Sequence, residues 1–295
     1  MPNACIILNP AAGSVKDPDA LMKQLRSLPD TTLKVTSKRG SACRSARTAL
    51  KQGCDLIVAA GGDGTLNEVI NGLGENAGNV RVGLIPLGTG NDFARTLGIP
   101  TDVDQCLELL RTSHTRAIDL VRVTSDQVRY FVNVSAGGFS GLVNEKLTPE
   151  MKSSWGPLAY IRSAAAALPE LRAYVTRIAL DDNETISESL YNVILGNGRY
   201  VAGGIPVAPE ALPDDGLLDL VLIPERPVAD LAILAPQMLM GTHLSSASII
   251  YRRAARITVN SKPGMWFNVD GELVGNEPAM FEVLPRALQF VTAKT

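Results

Sequence analysis

Residues 61–69 read GGDGTLNEV and directly follow a short apolar run, Leu56–Ala60. The apolar run predicts a buried strand, and the spacing of Val69, Ile70 and Leu73 predicts a helix that begins within the glycine turn. Glycine lets the backbone approach a ligand closely, and the N–H groups at a helix start favour an anion. The stretch is therefore typical of a phosphate-binding turn. A plain strand–helix turn would need one or two glycines, and it leaves the carboxylate, hydroxyl and amide unexplained.

A second glycine turn, LGTGNDF at residues 87–93, follows the predicted strand Val82–Ile85. Residues 1–120 alternate strand and helix patterns, which is typical of a doubly wound parallel α/β sheet. In such sheets, ligands bind outside the carboxyl ends of the strands. We therefore expect both glycine turns to face one crevice.

Beyond residue 120, strand patterns separated by turn signals predict an antiparallel, β-rich domain. The predicted strands are Tyr174–Leu180, Leu190–Leu195, Leu217–Leu222, Ile257–Val259, Trp266–Val269 and Phe281–Leu284. Two apolar helical inserts interrupt them, at Ala159–Leu168 and Val228–Met240. Such helices usually pack on a core, but these could also cover an acyl chain or touch a bilayer.

The composition disfavours several functions. The net charge of −2 gives no electrostatic reason to bind nucleic acid. The four cysteines and two histidines show no metal-ligand spacing. There is no Gly-Lys pair, which excludes a Walker A loop. No signal-peptide pattern is visible and the longest apolar stretch is too short to span a bilayer, so we expect a cytoplasmic protein without a transmembrane segment.

Three further turns carry polar groups. Asp270-Gly271-Glu272 follows a predicted strand and places two carboxylates close together, which suits one of them to act as a general base; the alternative is an exposed hairpin tip. Asp214-Asp215-Gly216 favours a tight turn, although its carboxylates could hold a hard cation. Gly196-Asn197-Gly198 is as consistent with a bulge or hairpin as with a site.

Four of these motifs, in this order, resemble the diacylglycerol kinase catalytic family, and most of all its small bacterial lipid kinases of the diacylglycerol kinase B and YegS type. They are residues 61–69, residues 86–94, Gly196-Asn197-Gly198 and Asp270-Gly271-Glu272. NAD kinases and phosphofructokinases share a shorter form of the first motif. The contiguous Asn67-Glu68 and the second glycine turn favour the lipid kinases.

The resemblance implies an α/β nucleotide domain at residues 1–120 and a β-sandwich-like lipid domain at residues 121–277. Residues 278–295 would return to the first domain, with the active site in the cleft between the two. ATP and Mg²⁺ are the implied cofactors. The acceptor would be a lipid such as diacylglycerol or phosphatidylglycerol, met at the inner face of the membrane.

The resemblance also assigns roles to individual residues. Glu272 matches the proton acceptor, with Asp270 beside it. Asp215 matches a metal ligand, with main-chain carbonyls from Leu212 and Leu217. The implied nucleotide-binding residues are Asn9, Pro10, Ala11, Ala12, Gly13, Thr36, Gly61, Gly62, Asp63, Gly64, Thr65, Leu66, Asn67, Glu68, Gly88, Thr89 and Asn91.

Two other functions stay open from the sequence. One is a kinase for a soluble substrate, similar to an NAD kinase, and the other is a nucleotide sensor without catalysis. Exposed strand edges would also allow a homodimer, although nothing in the sequence fixes the oligomeric state.

Overall fold

The computed structural model describes residues 3–112, 114–145, 162–163, 166–181, 183–269, 272–275 and 278–294. The chain divides into two compact units, one formed by residues 1–120 with 285–295 and the other by residues 121–284. The predicted combination of an α/β domain with a β-rich domain is confirmed.

The first unit alternates strands and helices. Its elements are β1 (Ala4–Leu8), α1 (Pro18–Arg26), β2 (Thr31–Val35), α2 (Ser41–Lys51), β3 (Leu56–Gly61), α3 (Asp63–Leu73), β4 (Arg81–Pro86), α4 (Asp92–Leu97) and α5 (Val103–Thr112). Strands β1 and β3 are buried along their whole length, as expected for central strands of a parallel sheet covered by helices. Helix α1 begins directly after Asp17, whose carboxylate caps the helix by accepting the Ala20 N–H at 3.0 Å.

The sheet of this unit is parallel, in the order β2-β1-β3-β4, and residues 289–290 pair with β4 in parallel on its other side. The chain moves from β1 to β2 on one side and then returns to place β3 on the other side of β1. The direction of winding therefore reverses between β1 and β3. In open α/β sheets, the crevice at this reversal is where ligands bind.

The second unit is rich in strands. The elements that continue the chain are β5 (Thr115–Thr124), β6 (Val128–Phe131), β7 (Val134–Gly138), α6 (Phe139–Glu145), β8 (Tyr174–Leu180), β9 (Glu184–Gly196), β10 (Leu218–Pro224), α7 (Val228–Met240), β11 (Ile250–Ala254), β12 (Arg256–Lys262), β13 (Phe267–Val269), β14 (Glu272–Val274) and β15 (Ala279–Val291). Strand β9 is long enough to pair with β8 along its first half and with β7 and β10 along its second. At one edge, β13 lies between β7 and β14.

Two apolar clusters stabilise this unit. The larger cluster contains the rings of Phe131, Phe267 and Phe281, which pack edge to face. The smaller cluster lies where α7 meets the sheet, and includes Ile194, Val221 and Leu234. The predicted insert Val228–Met240 is thus a helix, whereas Ala159–Leu168 falls largely outside the described residues.

Candidate functional site

The candidate site lies in the first unit, where β1 and β3 end side by side at the reversal of winding. The Asn9 N–H donates to the Ala60 carbonyl oxygen at 2.9 Å, and the Asn9 side-chain nitrogen lies 3.5 Å from Thr65 Oγ1. Thr36, just beyond β2, donates its N–H to the Leu8 carbonyl oxygen at 2.8 Å. The ends of three neighbouring strands therefore bring Asn9, Thr36 and Thr65 to one edge of the sheet.

The two glycine turns contact each other through their backbones. The Leu87 N–H donates to the Gly61 carbonyl oxygen at 2.9 Å. A Cβ atom on Gly88 would lie only 2.5 Å from Gly62 Cα, so this approach requires glycine. Asn91 closes the second turn: its Oδ1 accepts the Gly88 N–H at 2.9 Å and its Nδ2 donates to the Gly88 oxygen at 2.8 Å.

The loop after β1 joins the same region. Ser14 donates both its N–H, at 2.9 Å, and its hydroxyl, at 2.7 Å, to the Leu87 carbonyl oxygen. A side chain on Gly13 would collide with the Thr89 hydroxyl. Residues 9–13 therefore lie against the second glycine turn as well as beside the first.

Gly64 leaves an opening on this surface. It is exposed in the first turn of α3, and a Cβ atom there would have no neighbouring atom within 4 Å. The N-cap residue of the helix, Gly62, supplies no side-chain acceptor. A phosphate group could therefore approach the start of α3 without displacing a protein atom.

Asp63 links the two turns. Its carboxylate accepts the Phe93 N–H at 3.3 Å and further main-chain N–H groups of Asn91 and Asp92, at the start of α4. Burial raises the pKa of Asp63, and these hydrogen bonds oppose the rise only in part. The described contacts make Asp63 a support for the second turn, and its predicted role toward Mg²⁺ or phosphate stays a prediction.

Glu68 supports the neighbouring helix. Its two carboxylate oxygens accept the Gly40 N–H at 2.7 Å and the Ala42 N–H at 2.9 Å, at the start of α2. The N-cap residue of α2 is Gly40, which has no side chain to do this. A carboxylate at a helix N-terminus also interacts favourably with the helix dipole. Glu68 thus connects α3 to α2 and to the loop after Thr36.

Replacing Glu68 with Ala is expected to lower the free energy of unfolding by about 1–2 kcal/mol, the range measured for loss of a helix cap. Urea denaturation followed by circular dichroism measures this change. Glu68→Gln keeps an acceptor oxygen for one N–H only, and should recover part of the loss. Full stability in Glu68→Ala would show that the two hydrogen bonds contribute nothing net.

The remaining predicted nucleotide-binding residues divide by burial. Ala12, Leu66 and Asn67 are buried, and Asn67 accepts hydrogen bonds from the Asn71 amide. These three buried residues therefore support the turns of the site and do not form its surface. Pro10, at the end of β1, is half-buried and Ala11 is exposed, so these two are at the surface of the region.

The predicted proton acceptors belong to the second unit. Asp270 lies outside the described residues. Glu272 opens β14, where its backbone is paired with Val269 of β13. Asp126 fixes the far end of β14, because its Oδ1 accepts the Gly275 N–H at 2.9 Å.

The turn predicted to hold a metal has contacts of its own. Asp215 Oδ1 accepts the Leu217 N–H at 3.0 Å, and its Oδ2 forms an ion pair with the Arg253 guanidinium. Leu212, upstream, is 40% exposed. Within the described residues, no group of three or more His, Cys, Asp or Glu side chains is arranged to hold a metal ion.

Behind this turn lies a buried carboxylate. Asp219 is inaccessible to solvent, accepts the Tyr251 hydroxyl at 2.5 Å and lies 3.6 Å from Arg253 Nε. Burial raises the pKa of Asp219, and Tyr251 and Arg253 oppose the rise. Arg253 thus already supplies positive charge to both carboxylates. The turn fits a divalent cation only if Arg253 releases the Asp215 carboxylate, so the metal site stays a prediction.

Replacing Arg253 with Met is expected to destabilise the protein by about 1–3 kcal/mol in EDTA, because buried Asp219 loses its cationic partner. The side chain of Arg253 is 35% exposed, which favours the lower end of this range. Thermal unfolding in EDTA measures the loss of stability, and thermal unfolding with Mn²⁺ measures whether a metal restores it. Recovery of the variant with Mn²⁺ would support a metal at Asp215, and no recovery would contradict it.

Several residues outside the glycine turns support the backbone, and the sequence signals only some of them. The Gly196-Asn197-Gly198 motif is a strand-end connection: the Asn197 side chain is buried and donates to the Val132 oxygen at 2.7 Å, and its N–H donates to the Asn133 oxygen at 2.8 Å. Asp119 could have been noticed as a lone charge in an apolar run. Arg253 and Asp126 could not, because each depends on a partner far away in sequence.

Known proteins resemble this chain in both sequence and fold. The family model described as the diacylglycerol kinase catalytic domain matches residues 3–123. The model described as the YegS C-terminal NAD kinase beta sandwich-like domain matches residues 133–292. A diacylglycerol kinase of Staphylococcus epidermidis, strain ATCC 35984, is 36% identical over 99% of this chain and 92% of its own length.

Solved structures share the fold. A Bacillus anthracis strain Sterne protein assigned as a diacylglycerol kinase aligns with a TM-score of 0.83 at 24% identity, over 99% of this chain and 95% of that one. An Archaeoglobus fulgidus NAD kinase in complex with ATP aligns with a TM-score of 0.52 at 14% identity, over 99% and 93%. On the two family models and the sequence identity over its whole length, this chain belongs to the diacylglycerol kinase family.

Proposed function

We propose that this protein is an ATP-dependent lipid kinase, which transfers the γ-phosphate of ATP to a hydroxyl group of a lipid. One observation carries the proposal: the open start of α3 at Gly64, bordered by Asn9 and Thr65 and by two glycine turns in backbone contact. Family membership supports the acceptor class, because relatives that match nearly the whole chain are named diacylglycerol kinase.

ATP would bind to the first unit as its Mg²⁺ complex. The β- and γ-phosphates would lie on residues 61–65, with the Thr65 hydroxyl and the Asn9 amide as donors. Phosphoryl transfer depends mainly on alignment and charge neutralisation, and the Mg²⁺ of the substrate complex supplies most of the latter. Asp63 and Glu68 would hold the surrounding elements in place through the hydrogen bonds described above.

Glu272, or Asp270 beside it, would accept the proton of the lipid hydroxyl. The hydroxyl oxygen forms its bond to the γ-phosphorus as the bond from that phosphorus to the β–γ bridging oxygen breaks. ADP then leaves with that electron pair. A positioned general base of this kind contributes on the order of 10²–10⁴-fold to the rate.

Diacylglycerol is the first acceptor to test, with phosphatidylglycerol and sphingoid bases as alternatives. Residues 1–120 would bind the nucleotide and residues 121–277 the lipid. The C-terminal segment, residues 278–295, would complete the first domain. A cytoplasmic location, peripheral at the inner membrane face, accords with this proposal, whereas a homodimer through exposed strand edges stays a separate prediction.

The test is transfer of radiolabelled γ-phosphate from ATP, with Mg²⁺, into detergent micelles that each hold one lipid of the panel. Label in a single lipid would support the proposal and identify the acceptor. ATP binding is measured separately by calorimetry, so that failure to bind nucleotide is distinguished from a missing acceptor.

A soluble-substrate kinase is the second candidate, favoured by the fold shared with an ATP-bound NAD kinase. It predicts label in NAD without micelles. Label in neither lipid nor NAD, despite ATP binding, would contradict both kinase proposals and favour a nucleotide sensor.

A further inference from the structure

Helix α7 exposes an apolar face. The side chains of Ile233, Leu239 and Met240 are 65%, 42% and 69% exposed. The other exposed residues of the helix are Ala229, Ala232, Ala235 and Pro236. None of the exposed residues carries a charge or a side-chain hydrogen-bonding group.

The opposite face of α7 anchors the helix to the sheet. Leu234 is buried against Ile194 and Val221, and Leu231 and Met238 pack at the edges of this cluster. The helix is therefore apolar on both faces, with Asp230 and Gln237 as its polar exceptions. A helix that is apolar all round is normally buried, yet within the described part of the chain the outer face of α7 has no apolar partner.

Strand β14 presents apolar side chains on the same side of the sheet. Residues directly opposite one another on paired strands share a face. Such a row runs across five strands through Leu273, Asn268, Ala136, Ile194 and Val221. Ile194 and Val221 lie beneath α7, and Leu273, at the other end of the row, is 46% exposed. Trp266, adjacent to β13, is 47% exposed.

The chemistry of this surface fits a lipid bilayer better than a protein. Alanine is depleted in protein interfaces, and three of the exposed residues of α7 are alanine. A single exposed tryptophan at the margin is typical of the membrane–water boundary. Arg226, exposed just before α7, can meet anionic headgroups, and it offsets the charge of the adjacent exposed Glu225, so this pair adds no net repulsion.

The helix can lie on a bilayer but not cross it. Its 13 residues span about 20 Å, short of the hydrocarbon thickness. Among the described residues, no helix is long and apolar enough to cross a membrane. An interfacial helix normally keeps a polar face toward water; here the sheet occupies that position.

We propose that the outer face of α7, with Leu273 and Trp266, is the surface by which this protein lies on the bilayer that contains its acceptor lipid. The inference rests on the proposed lipid kinase activity for the identity of the partner.

The test is sedimentation with phosphatidylcholine–phosphatidylglycerol vesicles in the absence of ATP, which does not depend on catalysis. The double variant Ile233→Glu with Met240→Glu is expected to lose at least tenfold in vesicle affinity. Val35→Glu is the matched control, because Val35 is 41% exposed at the end of β2 in the first unit, and the variant should bind vesicles like the wild type. Thermal unfolding of each variant checks that it is folded.

A second measurement leaves α7 unchanged. The chain has two tryptophans, and Trp155→Phe leaves Trp266 as the sole indole reporter. Its emission is expected to shift to shorter wavelength on addition of vesicles and to be quenched by brominated acyl chains. No shift and no quenching would overturn the proposal, even if the double variant fails to fold.

The outcomes separate this inference from the proposed function. Vesicle binding that requires Ile233 and Met240, in a protein that phosphorylates no lipid, would support the surface and contradict the kinase. Lipid phosphorylation by the wild type, with unchanged vesicle binding in the double variant, would support the kinase and contradict the proposed surface. A wild-type dimer that becomes a monomer in the double variant would overturn the proposal in favour of self-association.

Discussion

Replacing Glu272 with Gln is expected to reduce phosphate transfer by about 10²–10⁴-fold, the usual contribution of a general base. Glutamine preserves the size of the side chain and can still form hydrogen bonds, but it cannot accept the proton of the acceptor hydroxyl. Because the proposed nucleotide site lies in the first unit, affinity for ATP should stay within about twofold of the wild type, a change well under 1 kcal/mol. Initial rates of γ-phosphate transfer and calorimetric titration with an ATP analogue measure the two effects.

The companion variant Asp270→Asn decides between the two carboxylates. If Glu272 is the base, Asp270→Asn should lose much less activity and keep a pH dependence in which the rate rises as the base ionises. If Asp270 is the base, the two results exchange places. Normal turnover in both variants would remove the proposed role of this hairpin, and normal turnover in Glu272→Gln alone would remove it from Glu272.

The central elements of the first unit are predictable because local signals agree with tertiary structure there. Strand β3 extends only one residue beyond the predicted Leu56–Ala60, since a continuous apolar run has few alternatives in a buried parallel sheet. The glycine turns at Gly62 and Gly88 were also visible in the sequence. Their direct backbone contact was not, because the two residues are far apart along the chain.

Strand β15 shows where local reasoning fails. The sequence predicts that the strand ends at Leu284, since Pro285 normally interrupts a ladder. The strand instead continues to Val291. Arg286 takes a positive φ of 53° at this point, and its N–H is accepted by buried Asp119 at 2.7 Å. A distant carboxylate thus satisfies the backbone where the local pattern breaks.

The sequence does not predict strand β7, for a related reason. Its sequence VSAGG contains two glycines and so has a weak strand propensity. Pairing with β9 on one side and β13 on the other stabilises it nonetheless. The same limit applies to Asp63 and Glu68. Their contact with the nucleotide stays a prediction, and the sequence gives no sign of the hydrogen bonds that their carboxylates accept from main-chain N–H groups at the starts of distant helices.

The second large effect is expected from Gly88→Ala. The added Cβ would lie 2.5 Å from Gly62 Cα and 2.8 Å from Asn91 Oδ1, so the two glycine turns must separate. Backbone atoms cannot rotate away as a flexible side chain would, and such overpacking costs about 1–3 kcal/mol. We expect a lower unfolding temperature together with at least tenfold weaker ATP binding. An unaltered protein would show that the turns can part without cost and that their contact does not shape the site.

Gly64→Ala separates phosphate binding from stability. A Cβ at this position meets no protein atom within 4 Å, and alanine favours a helix over glycine by about 0.8–1 kcal/mol. The unfolding temperature should therefore stay the same or rise. ATP affinity should nevertheless fall at least tenfold, because the new methyl group would occupy the space proposed for a phosphate. Calorimetric titration of this variant with an ATP analogue and Mg²⁺ is decisive. Wild-type ATP affinity in a protein of undiminished stability would mean that the phosphates bind elsewhere. Because the added methyl group touches no protein atom, a loss of ATP affinity could not be attributed to a distorted protein.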